Sequence, residues 1–328
     1  MNEATAIGAG EVTVIGAGAW GTALAIQAAR AGNQVRLWAR DPARAAAIAS
    51  TRENPRLPGI RLPDAVTMTD DLAGTRGIAL LAVPMQHLRA VLTRLPPGTA
   101  PLVICAKGVE TGTLRLPREV ADAIHPATPS AVLTGPNFAR EIAAGQPAAA
   151  VLAATDSGLR DRVIAALATP AFRLYGNDDP TGAQVGGAAK NVVAIAAGAV
   201  IGAGLGENAR AALITRGLAE LARLAVALGG KAETVMGLSG LGDLLLTCTG
   251  PASRNYSLGV ALGQGEKLAD VLAARSAVTG GVATAPALLA RAAGVDMPIC
   301  AAVAALLGGR TTLAQAMTDL LARPRRNE

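Results

Sequence analysis

Short apolar runs alternate with longer stretches of helical periodicity through the first half of the chain. Gly32 ends the first helical stretch, Trp20–Ala31. Apolar runs of strand length lie on either side of it and farther along, at Glu11–Ile15, Gln34–Ala39, Ile78–Val83, Leu102–Cys105 and Ala148–Ala153. Strands separated by helices are typical of βαβ units, so the pattern predicts a parallel sheet with helices on both faces.

The second half of the chain has a different pattern. From Thr181 onward, helical stretches are punctuated by glycine and no alternating strand pattern occurs. Gly176–Pro180 combines the residue types that are typical of turns and linkers. A chain of 328 residues also exceeds the usual size of a single hydrophobic core. We therefore predict an α/β protein with a parallel-sheet domain over residues 1–178 and an all-helical domain over residues 179–328.

Gly16, Gly18 and Gly21 form a G-x-G-x-x-G pattern between the first predicted strand and the first predicted helix. In such a loop the first glycine permits a tight turn and the second lets the backbone approach a pyrophosphate. The third glycine lets the helix pack close to the strand, and the helix N-terminus supplies N–H donors. In its strand–helix–strand setting the pattern predicts a Rossmann-type, dinucleotide-binding N-terminal domain. The alternative is a glycine-rich turn that binds nothing.

The end of the second predicted strand indicates which dinucleotide is used. An acidic residue at this point accepts from the ribose 2′-hydroxyl of NAD, whereas an arginine suits the 2′-phosphate of NADP. Arg40 occupies this position, and Asp41 has a competing role as the cap of a helix that starts at Pro42. We expect NADP as the preferred cofactor and NAD as a second one. The alternative for Arg40 is a simple surface charge.

The composition disfavours several classes of protein. Cys105, Cys248 and Cys300 lie far apart and the chain has only two histidines, so we expect no disulfide framework, metal site or Ser-His-Asp triad. The net charge of +6 is spread along the chain and aromatic residues make up 2% of it, which disfavours nucleic-acid binding. A modest positive excess suits an anionic small substrate and cofactor instead.

The sequence has no pattern typical of export or membrane insertion. The N-terminus lacks a basic segment before an apolar one, and the uncharged, apolar stretch of residues 191–206 is too short to span a bilayer. We therefore expect a cytoplasmic protein without a membrane span.

Lys190 is one of only four lysines among 30 basic residues, and its setting is unusual. Its neighbours on a helix are all small or apolar: Gly186, Gly187, Val193, Ala194 and Ala197. Because a buried ammonium is costly, Lys190 either has an anionic partner and a catalytic role or extends to the surface. The small neighbours predict room for a substrate beside it. Burial or a second cation would lower the lysine pKa towards neutrality, which makes Lys190 a candidate general acid/base.

Lys107 provides a candidate second cation. It follows the predicted strand Leu102–Cys105 and precedes Gly108. Doubly wound sheets place their ligand crevice at the carboxyl ends of the strands. Lys107 can therefore hold an anionic substrate and lower the pKa of Lys190, and the alternative is an ordinary loop lysine.

Seven short segments along the chain carry a family resemblance. They are 16–25 (GAGAWGTALA), 106–108 (AKG), 135–139 (GPNFA), 190–192 (KNV), 206–217 (GENARAALITRG), 237–244 (GLSGLGDL) and 253–255 (SRN). In sequence and order they resemble the NAD(P)-dependent glycerol-3-phosphate dehydrogenases of the bacterial type. The segments after residue 206 are far more specific than the glycine loop.

This resemblance implies an activity and a set of site residues. The activity is reversible hydride transfer between NAD(P)H and C2 of dihydroxyacetone phosphate, giving sn-glycerol 3-phosphate for glycerophospholipid synthesis, with Lys190 as proton donor and acceptor. The substrate contacts are Lys107, Gly135, Asn137, Lys190, Asp243, Ser253, Arg254 and Asn255, to which we add Asn191 and Thr247 as neighbours of Lys190 and Asp243. The cofactor contacts are Gly16, Gly18, Ala19, Trp20, Gly21, Arg40, Lys107, Ala139 and Arg254.

The chemistry of these residues agrees with the implied roles. Asp243 opens a predicted helix and can orient Lys190 or accept from a substrate hydroxyl. Arg254 and Asn255, at a helix-start signal provided by Ser253, can supply a bidentate cation and N–H donors to a phosphate. The resemblance also implies a homodimer.

Two positions depart from the family pattern. Thr279 stands where many relatives have a glutamate that contributes to cofactor binding, so the resemblance does not imply this contact here. Asn137 stands where a hydroxyl residue is common, and its amide can still donate to a substrate oxygen.

Two other functions compete with this hypothesis. A β-hydroxyacid dehydrogenase also joins a Rossmann domain to a helical domain with a catalytic lysine, but a carboxylate substrate would leave Arg254 without a phosphate. A catalytically silent NADP(H)-binding regulator is the second alternative, and the presence of both Lys107 and Lys190 argues against it.

Overall fold

The computed structural model describes residues 10–98, 100–274 and 280–324, and the chain divides into two compact units. The first unit comprises residues 1–106 and 117–180, and the second comprises residues 107–116 and 181–328. The main division thus falls after Pro180, close to the turn-rich segment Gly176–Pro180. The ten residues 107–116 belong to the second unit although they interrupt the first in sequence.

The first unit is built on one eight-stranded sheet. Its strands are β1 (Glu11–Ile15), β2 (Gln34–Trp38), β3 (Val66–Thr69), β4 (Ile78–Leu81), β5 (Leu102–Ile104), β6 (Ser130–Thr134), β7 (Ala148–Ala153) and β8 (Phe172–Asn177). Their spatial order is β3-β2-β1-β4-β5-β6-β7-β8. The first six strands are parallel and have the Rossmann order, which confirms the predicted fold class.

The sheet is not parallel throughout. Strand β7 runs antiparallel to β6, with Val132 opposite Ala153, and β8 is parallel to β7. The sheet is thus parallel as predicted except at the β6–β7 pair. The connection between these two strands, residues 135–147, contains the six-residue helix α5.

Six helices cover the sheet. They are α1 (Ala19–Arg30), α2 (Pro42–Thr51), α3 (Met85–Arg94), α4 (Pro117–Ile124), α5 (Ala139–Ala144) and α6 (Ser157–Leu167). Asp41 caps α2 as predicted, since its Oδ1 accepts from the backbone N of Ala43 at 3.0 Å. Side chains alternate across the sheet, so Val14 lies in one apolar cluster and its neighbour Ile15 in the other.

The second unit is helical, as predicted for this part of the chain. Its helices are α7 (Pro180–Gly202), α8 (Gly206–Ala227), α9 (Ala232–Met236), α10 (Asp243–Cys248), α11 (Arg254–Gly263), α12 (Leu268–Ala273), α13 (Gly280–Arg291), α14 (Pro298–Leu307) and α15 (Leu313–Leu321). A single π-helical turn, Leu238–Gly242, leads directly into α10.

Helix α7 is the central helix of this unit. It is long and apolar enough to cross a membrane, with a mean hydropathy of 1.5, but 78% of its apolar window is buried inside the protein. Its side chains Val185, Val192 and Ile195 pack in the same apolar cluster as Val109 and Leu116 from the segment 107–116. The apolar character of α7 is thus that of a core helix, and Lys190 lies within it.

Candidate active site

The glycine loop of the first unit has the local geometry that its sequence predicts. Gly16 has φ +118°, and a β-carbon on it would lie 2.8 Å from the carbonyl oxygen of Ala82. A β-carbon on Gly21 would overlap the Gly16 carbonyl. In contrast, nothing lies within 4 Å of the β-carbon position of Gly18. The fold itself therefore requires the first and third glycines, while the second faces open space.

This loop suits the pyrophosphate of a dinucleotide. Gly18 is the N-cap of α1, so the N–H groups of the first turn, including those of Ala19 and Trp20, have no acceptor within the helix. Both residues are half-buried beside the space at Gly18. Free N–H donors at a helix N-terminus with open space in front of them form an anion-binding arrangement.

Two side chains outside the glycine loop donate hydrogen bonds to its backbone, and neither was predicted from the sequence. Arg44 of α2 donates through Nη2 to the carbonyl oxygen of Ala17 at 2.6 Å. Asn54, which is fully buried, donates to the same oxygen at 3.1 Å and to Oγ1 of Thr22 at 2.6 Å. Asn54 lies in an irregular segment between α2 and β3, and nothing in its local sequence indicates these partners.

The other predicted cofactor and substrate residues of the first unit lie at the carboxyl ends of strands. Arg40 is exposed and follows β2. Gly135 follows β6 with φ +142°, and Ala139 is the first residue of α5. Asn137 donates through Nδ2 to the carbonyl oxygen of Ala149 at 3.3 Å, so this amide group has a partner within the protein.

Asp243 is the centre of the charged cluster in the second unit. Its carboxylate is 1% exposed and accepts from two ammonium groups, Lys190 on Oδ1 and Lys107 on Oδ2. The sequence left two roles open for Asp243, orienting Lys190 or accepting from a substrate hydroxyl, and its carboxylate contacts the Lys190 ammonium. Two cations share one buried anion, so the cluster keeps one net positive charge.

Thr247 completes the surroundings of the Lys190 ammonium. Its Oγ1 accepts from Lys190 Nζ at 3.0 Å and donates to the backbone carbonyl of Asp243 at 2.6 Å. Asp243 and Thr247 are one turn apart on α10, which brings both side chains to the same face. The ammonium is therefore fixed by two acceptors on a single helical turn.

The setting lowers the pKa of the Lys190 ammonium from its ordinary value of 10.5 to about 8. Burial is the main cause, because removal from water disfavours the charged form. The Asp243 carboxylate acts in the opposite direction, and the charge of Lys107 lowers the pKa further. A group with this pKa can both donate and accept a proton near neutral pH.

Gly186, one of the small residues before Lys190, has a different role from the predicted one. The space beside Gly186, one turn earlier on α7, is filled by the backbone of the π-helical turn, whose Gly240 Cα would lie 2.9 Å from a β-carbon. The expectation that Gly186 leaves room for a substrate is therefore wrong. The close approach instead places α7 against the turn that leads into Asp243.

The segment Ser253–Asn255 begins helix α11. Ser253 caps the helix by accepting from the backbone N of Tyr256 at 3.3 Å, and Arg254 is exposed in its first turn. Asn255 is buried, donates to Oδ1 of Asn191 at 2.9 Å and accepts from the backbone N of Gly281 at 3.0 Å. Its side chain thus ties α11 to α7 and α13. These two contacts occupy Oδ1 and one Nδ2 hydrogen of Asn255.

Two expectations concern features beyond these residues. Thr279, the departure from the family pattern, lies outside the described residues. Within the described residues, no three histidine, cysteine, aspartate or glutamate side chains lie close enough together to hold a metal ion. The thiols of Cys105, Cys248 and Cys300 are buried.

Comparison with known protein families shows which family this chain belongs to. The family model for the N-terminus of NAD-dependent glycerol-3-phosphate dehydrogenase matches residues 11–159, and the model for the C-terminus matches residues 179–318. The chain belongs to the NAD-dependent glycerol-3-phosphate dehydrogenase family. The resemblance found in the sequence is confirmed.

Individual members of this family are similar over nearly their full length. A glycerol-3-phosphate dehydrogenase [NAD(P)+] from Acidiphilium cryptum is 60% identical over 97% of this chain and 98% of its own. One from Rhodospirillum rubrum is 54% identical, with coverage of 97% and 93%. The crystal structure of glycerol-3-phosphate dehydrogenase from Coxiella burnetii matches with a TM-score of 0.91 and 38% identity, covering 96% of this chain and 99% of that one.

Membership in this family bears out the predicted enzyme class. The chain is an NAD(P)-dependent dehydrogenase with a Rossmann-type N-terminal part and a helical C-terminal part. The family assignment does not rest on the glycine loop alone, because the C-terminal model spans the segments that contain Lys190, Asp243 and Arg254.

Proposed function

We propose that this enzyme reversibly reduces dihydroxyacetone phosphate to sn-glycerol 3-phosphate, with NADPH as preferred cofactor and NADH as a second one. The observation that carries the proposal is the buried cluster in which Lys190 and Lys107 share the Asp243 carboxylate. The product would supply glycerophospholipid synthesis. The relatives from Acidiphilium cryptum and Rhodospirillum rubrum, both named glycerol-3-phosphate dehydrogenase [NAD(P)+], support the substrate and the cofactor class.

Lys190 would act as the general acid and base. When bound, the reduced nicotinamide supplies a hydride to C2 of the substrate. Negative charge then develops on the carbonyl oxygen, and an ammonium fixed beside it stabilises that charge and donates the proton that makes the alcohol. In the reverse direction neutral Lys190 accepts this proton. A pKa of about 8 suits both directions because neither protonation state is rare near neutral pH.

Asp243 and Thr247 would orient Lys190 and not react themselves. They hold its ammonium with two acceptors, which leaves its third N–H for the substrate oxygen. Lys107, whose side chain is 23% exposed, adds positive charge at the same carboxylate. The net positive charge of the cluster would attract a substrate that carries a phosphate dianion.

The start of α11 would bind the substrate phosphate. Arg254 offers a planar, bidentate donor, and the first N–H groups of the ten-residue helix add donors of the same sign. A carboxylate substrate needs fewer donors than this arrangement provides. We therefore expect the phosphate to contribute much of the substrate affinity, and Arg254→Ala to raise KM for dihydroxyacetone phosphate more than it lowers kcat.

The cofactor would bind through the first unit. The open space at Gly18 and the first turn of α1 suit the pyrophosphate. Exposed Arg40 at the end of β2 suits a 2′-phosphate, which is the basis for proposing NADPH.

We also propose that the enzyme is a cytoplasmic homodimer, as the resemblance implies. Static light scattering of the purified protein would measure the mass in solution. A mass equal to that of one chain, 32.7 kDa, at assay concentrations would contradict the dimer.

The central experiment measures oxidation of NADPH and of NADH with three substrates. These are dihydroxyacetone phosphate, dihydroxyacetone without the phosphate, and a 3-oxo acid. Of the three substrates, we expect only dihydroxyacetone phosphate to be turned over efficiently. At low cofactor concentration the rate should be higher with NADPH than with NADH. Preferred turnover of the 3-oxo acid would indicate a β-hydroxyacid dehydrogenase, and cofactor binding without any turnover would indicate a silent regulator.

A further inference from the structure

The peptide bond in the middle of the glycine loop is held by side chains outside the loop. The carbonyl oxygen of Ala17 accepts from Nη2 of Arg44 at 2.6 Å and from Nδ2 of Asn54 at 3.1 Å. The bond from Arg44 is charge-assisted and therefore stronger than a neutral one. No backbone ladder holds this carbonyl, since it lies between the end of β1 and the start of α1.

Asn54 connects this contact to its surroundings. It is 0% exposed, donates to Thr22 Oγ1 at 2.6 Å, and accepts on Oδ1 from Arg44 at 3.1 Å and from the backbone N of Arg56 at 3.1 Å. Its donors and its acceptor are all used within the protein. A fully satisfied buried amide of this kind specifies one arrangement of the groups around it.

The direction of the Ala17 carbonyl fixes the direction of the next N–H. The peptide bond between Ala17 and Gly18 is planar and trans, so its C=O and its N–H point in opposite directions. With the carbonyl turned to Arg44 and Asn54, the Gly18 N–H points away from them. Glycine has little conformational preference of its own, so the loop needs an outside contact to hold this orientation.

We propose that Arg44 and Asn54 form a clamp that presets the Gly18 amide for the cofactor pyrophosphate, which makes them positioning residues for cofactor binding. This inference rests on the proposed cofactor site. Without the clamp, binding would have to order the loop, and the entropic cost would weaken affinity. Because the pyrophosphate is common to both dinucleotides, the clamp acts equally on NADH and NADPH.

Arg44 also contributes charge. Burial, and secondly the charge of Arg56, lower the pKa of Arg44 from its ordinary value, whereas Asp41 raises it. Arg56 is exposed, and its backbone N, not its side chain, donates to Asn54 Oδ1. Arg56→Gln therefore removes a nearby positive charge without removing a hydrogen bond to Ala17, and serves as the matched control.

The test compares Arg44→Gln and Arg56→Gln by titration calorimetry of the full-length protein with ADP, NADH and NADPH. ADP contains the pyrophosphate but neither the nicotinamide nor the 2′-phosphate. We expect Arg44→Gln to weaken all three by the same factor, about 10- to 100-fold, which corresponds to one charge-assisted hydrogen bond. Arg56→Gln should change the three dissociation constants by less than about threefold, as for a screened surface charge.

Each other result would overturn the inference. A loss confined to NADPH would show that Arg44 contacts the 2′-phosphate directly. Equal losses in the two variants would show a general charge effect, and unchanged affinities would show that the loop needs no clamp. If the unmodified protein bound none of the three ligands, the proposed cofactor site itself would be wrong.

A second pair of variants tests the Asn54 arm without removing Asn54. Thr22→Val keeps the shape of the side chain but removes the acceptor for Asn54, whereas Thr22→Ser keeps the acceptor and loses the methyl group. We expect ADP affinity to fall in Thr22→Val and to be retained in Thr22→Ser. The comparison is made at a temperature at which both variants are fully folded. Equal ADP affinity in both would contradict a role for the Asn54 contact.

Discussion

Gly186 of α7 lies so close to Ser239 that a β-carbon on Gly186 would overlap the Ser239 carbonyl. Both sides of this contact lead to the charged cluster. Gly186 is one turn before Lys190, and the π-helical turn that contains Ser239 ends immediately before Asp243. The neighbouring atoms are backbone, so they have no side-chain rotamer by which to move away. The contact therefore sets the spacing between the elements that carry Lys190 and Asp243.

The variant Gly186→Ala should separate these two elements. We expect kcat to fall by about tenfold or more, because a small displacement of a catalytic group is costly. The Kd for NADPH should remain unchanged. The matched control is Gly237→Ala in the adjoining segment, where a β-carbon would make an ordinary 3.4 Å contact with Thr234. Steady-state kinetics and cofactor titration measure the difference, and wild-type kcat in Gly186→Ala would contradict the assigned spacing role.

Lys190→Ala should abolish most turnover while cofactor binding persists. General acid–base catalysis accelerates reactions by about 100- to 10,000-fold, so we expect the loss of Lys190 to lower kcat by at least 100-fold. Lys267→Ala is the control, since Lys267 is an exposed lysine of the same unit. Single-turnover kinetics and NADPH titration separate chemistry from binding. A kcat near that of the control variant would exclude Lys190 as the proton donor.

The two directions of the reaction should depend on pH with opposite sign. Reduction requires the Lys190 ammonium, so kcat/KM for dihydroxyacetone phosphate should decline as pH rises through about 8. Oxidation of glycerol 3-phosphate requires the neutral amine and should increase through the same range. Initial rates across pH 6 to 10, roughly two units on each side of that pKa, test this. Parallel profiles in the two directions would show that another group controls the rate.

The neighbours of Lys190 should shift this profile in opposite directions. Asp243 raises the pKa of Lys190, so Asp243→Asn should move the midpoint to lower pH. Lys107 lowers that pKa, so Lys107→Met should move the midpoint to higher pH. Both variants should also be slower than the unmodified enzyme. Shifts of the same sign would be inconsistent with the electrostatic roles assigned to the two residues.

Arg40→Ala should change the choice of cofactor. Removing the guanidinium should raise KM for NADPH about tenfold and leave KM for NADH within about twofold, because one charge-assisted contact is lost with NADPH only. The ratio of kcat/KM for the two cofactors is the measurement. An equal effect on both cofactors would place Arg40 away from the 2′-phosphate.

Local patterns in the sequence predicted the parts of the fold that depend on nearby residues. Strand β1, helix α1 and strand β2 were predicted because apolar periodicity and the glycine loop act over a few residues. The scarcity of lysine in the sequence indicates Lys190 and Lys107 as candidate site residues, but it does not indicate that both contact Asp243. Asp243 was identified as a site residue only through the family resemblance.

Three strands, β3, β6 and β8, were missed, and two of them, β3 and β8, lie at the edges of the sheet. Strand β8 is at the edge of the sheet, and several of its side chains, including those of Arg173 and Tyr175, are not buried, so no apolar run marks it. Strand β3 is a four-residue edge strand. Asn54 contacts Thr22 across 32 positions, and no local pattern encodes such a contact.

The second unit is discontinuous in sequence because it includes the segment 107–116. Val109 and Leu116 are core residues of that unit, and Lys107 belongs to its charged cluster. A fragment that begins at residue 181 would therefore lack part of its core and one of its cations. During synthesis these ten residues leave the ribosome before the helices they pack with. The three-charge cluster can form only after residue 243 has emerged, so the acid/base group is assembled late in translation.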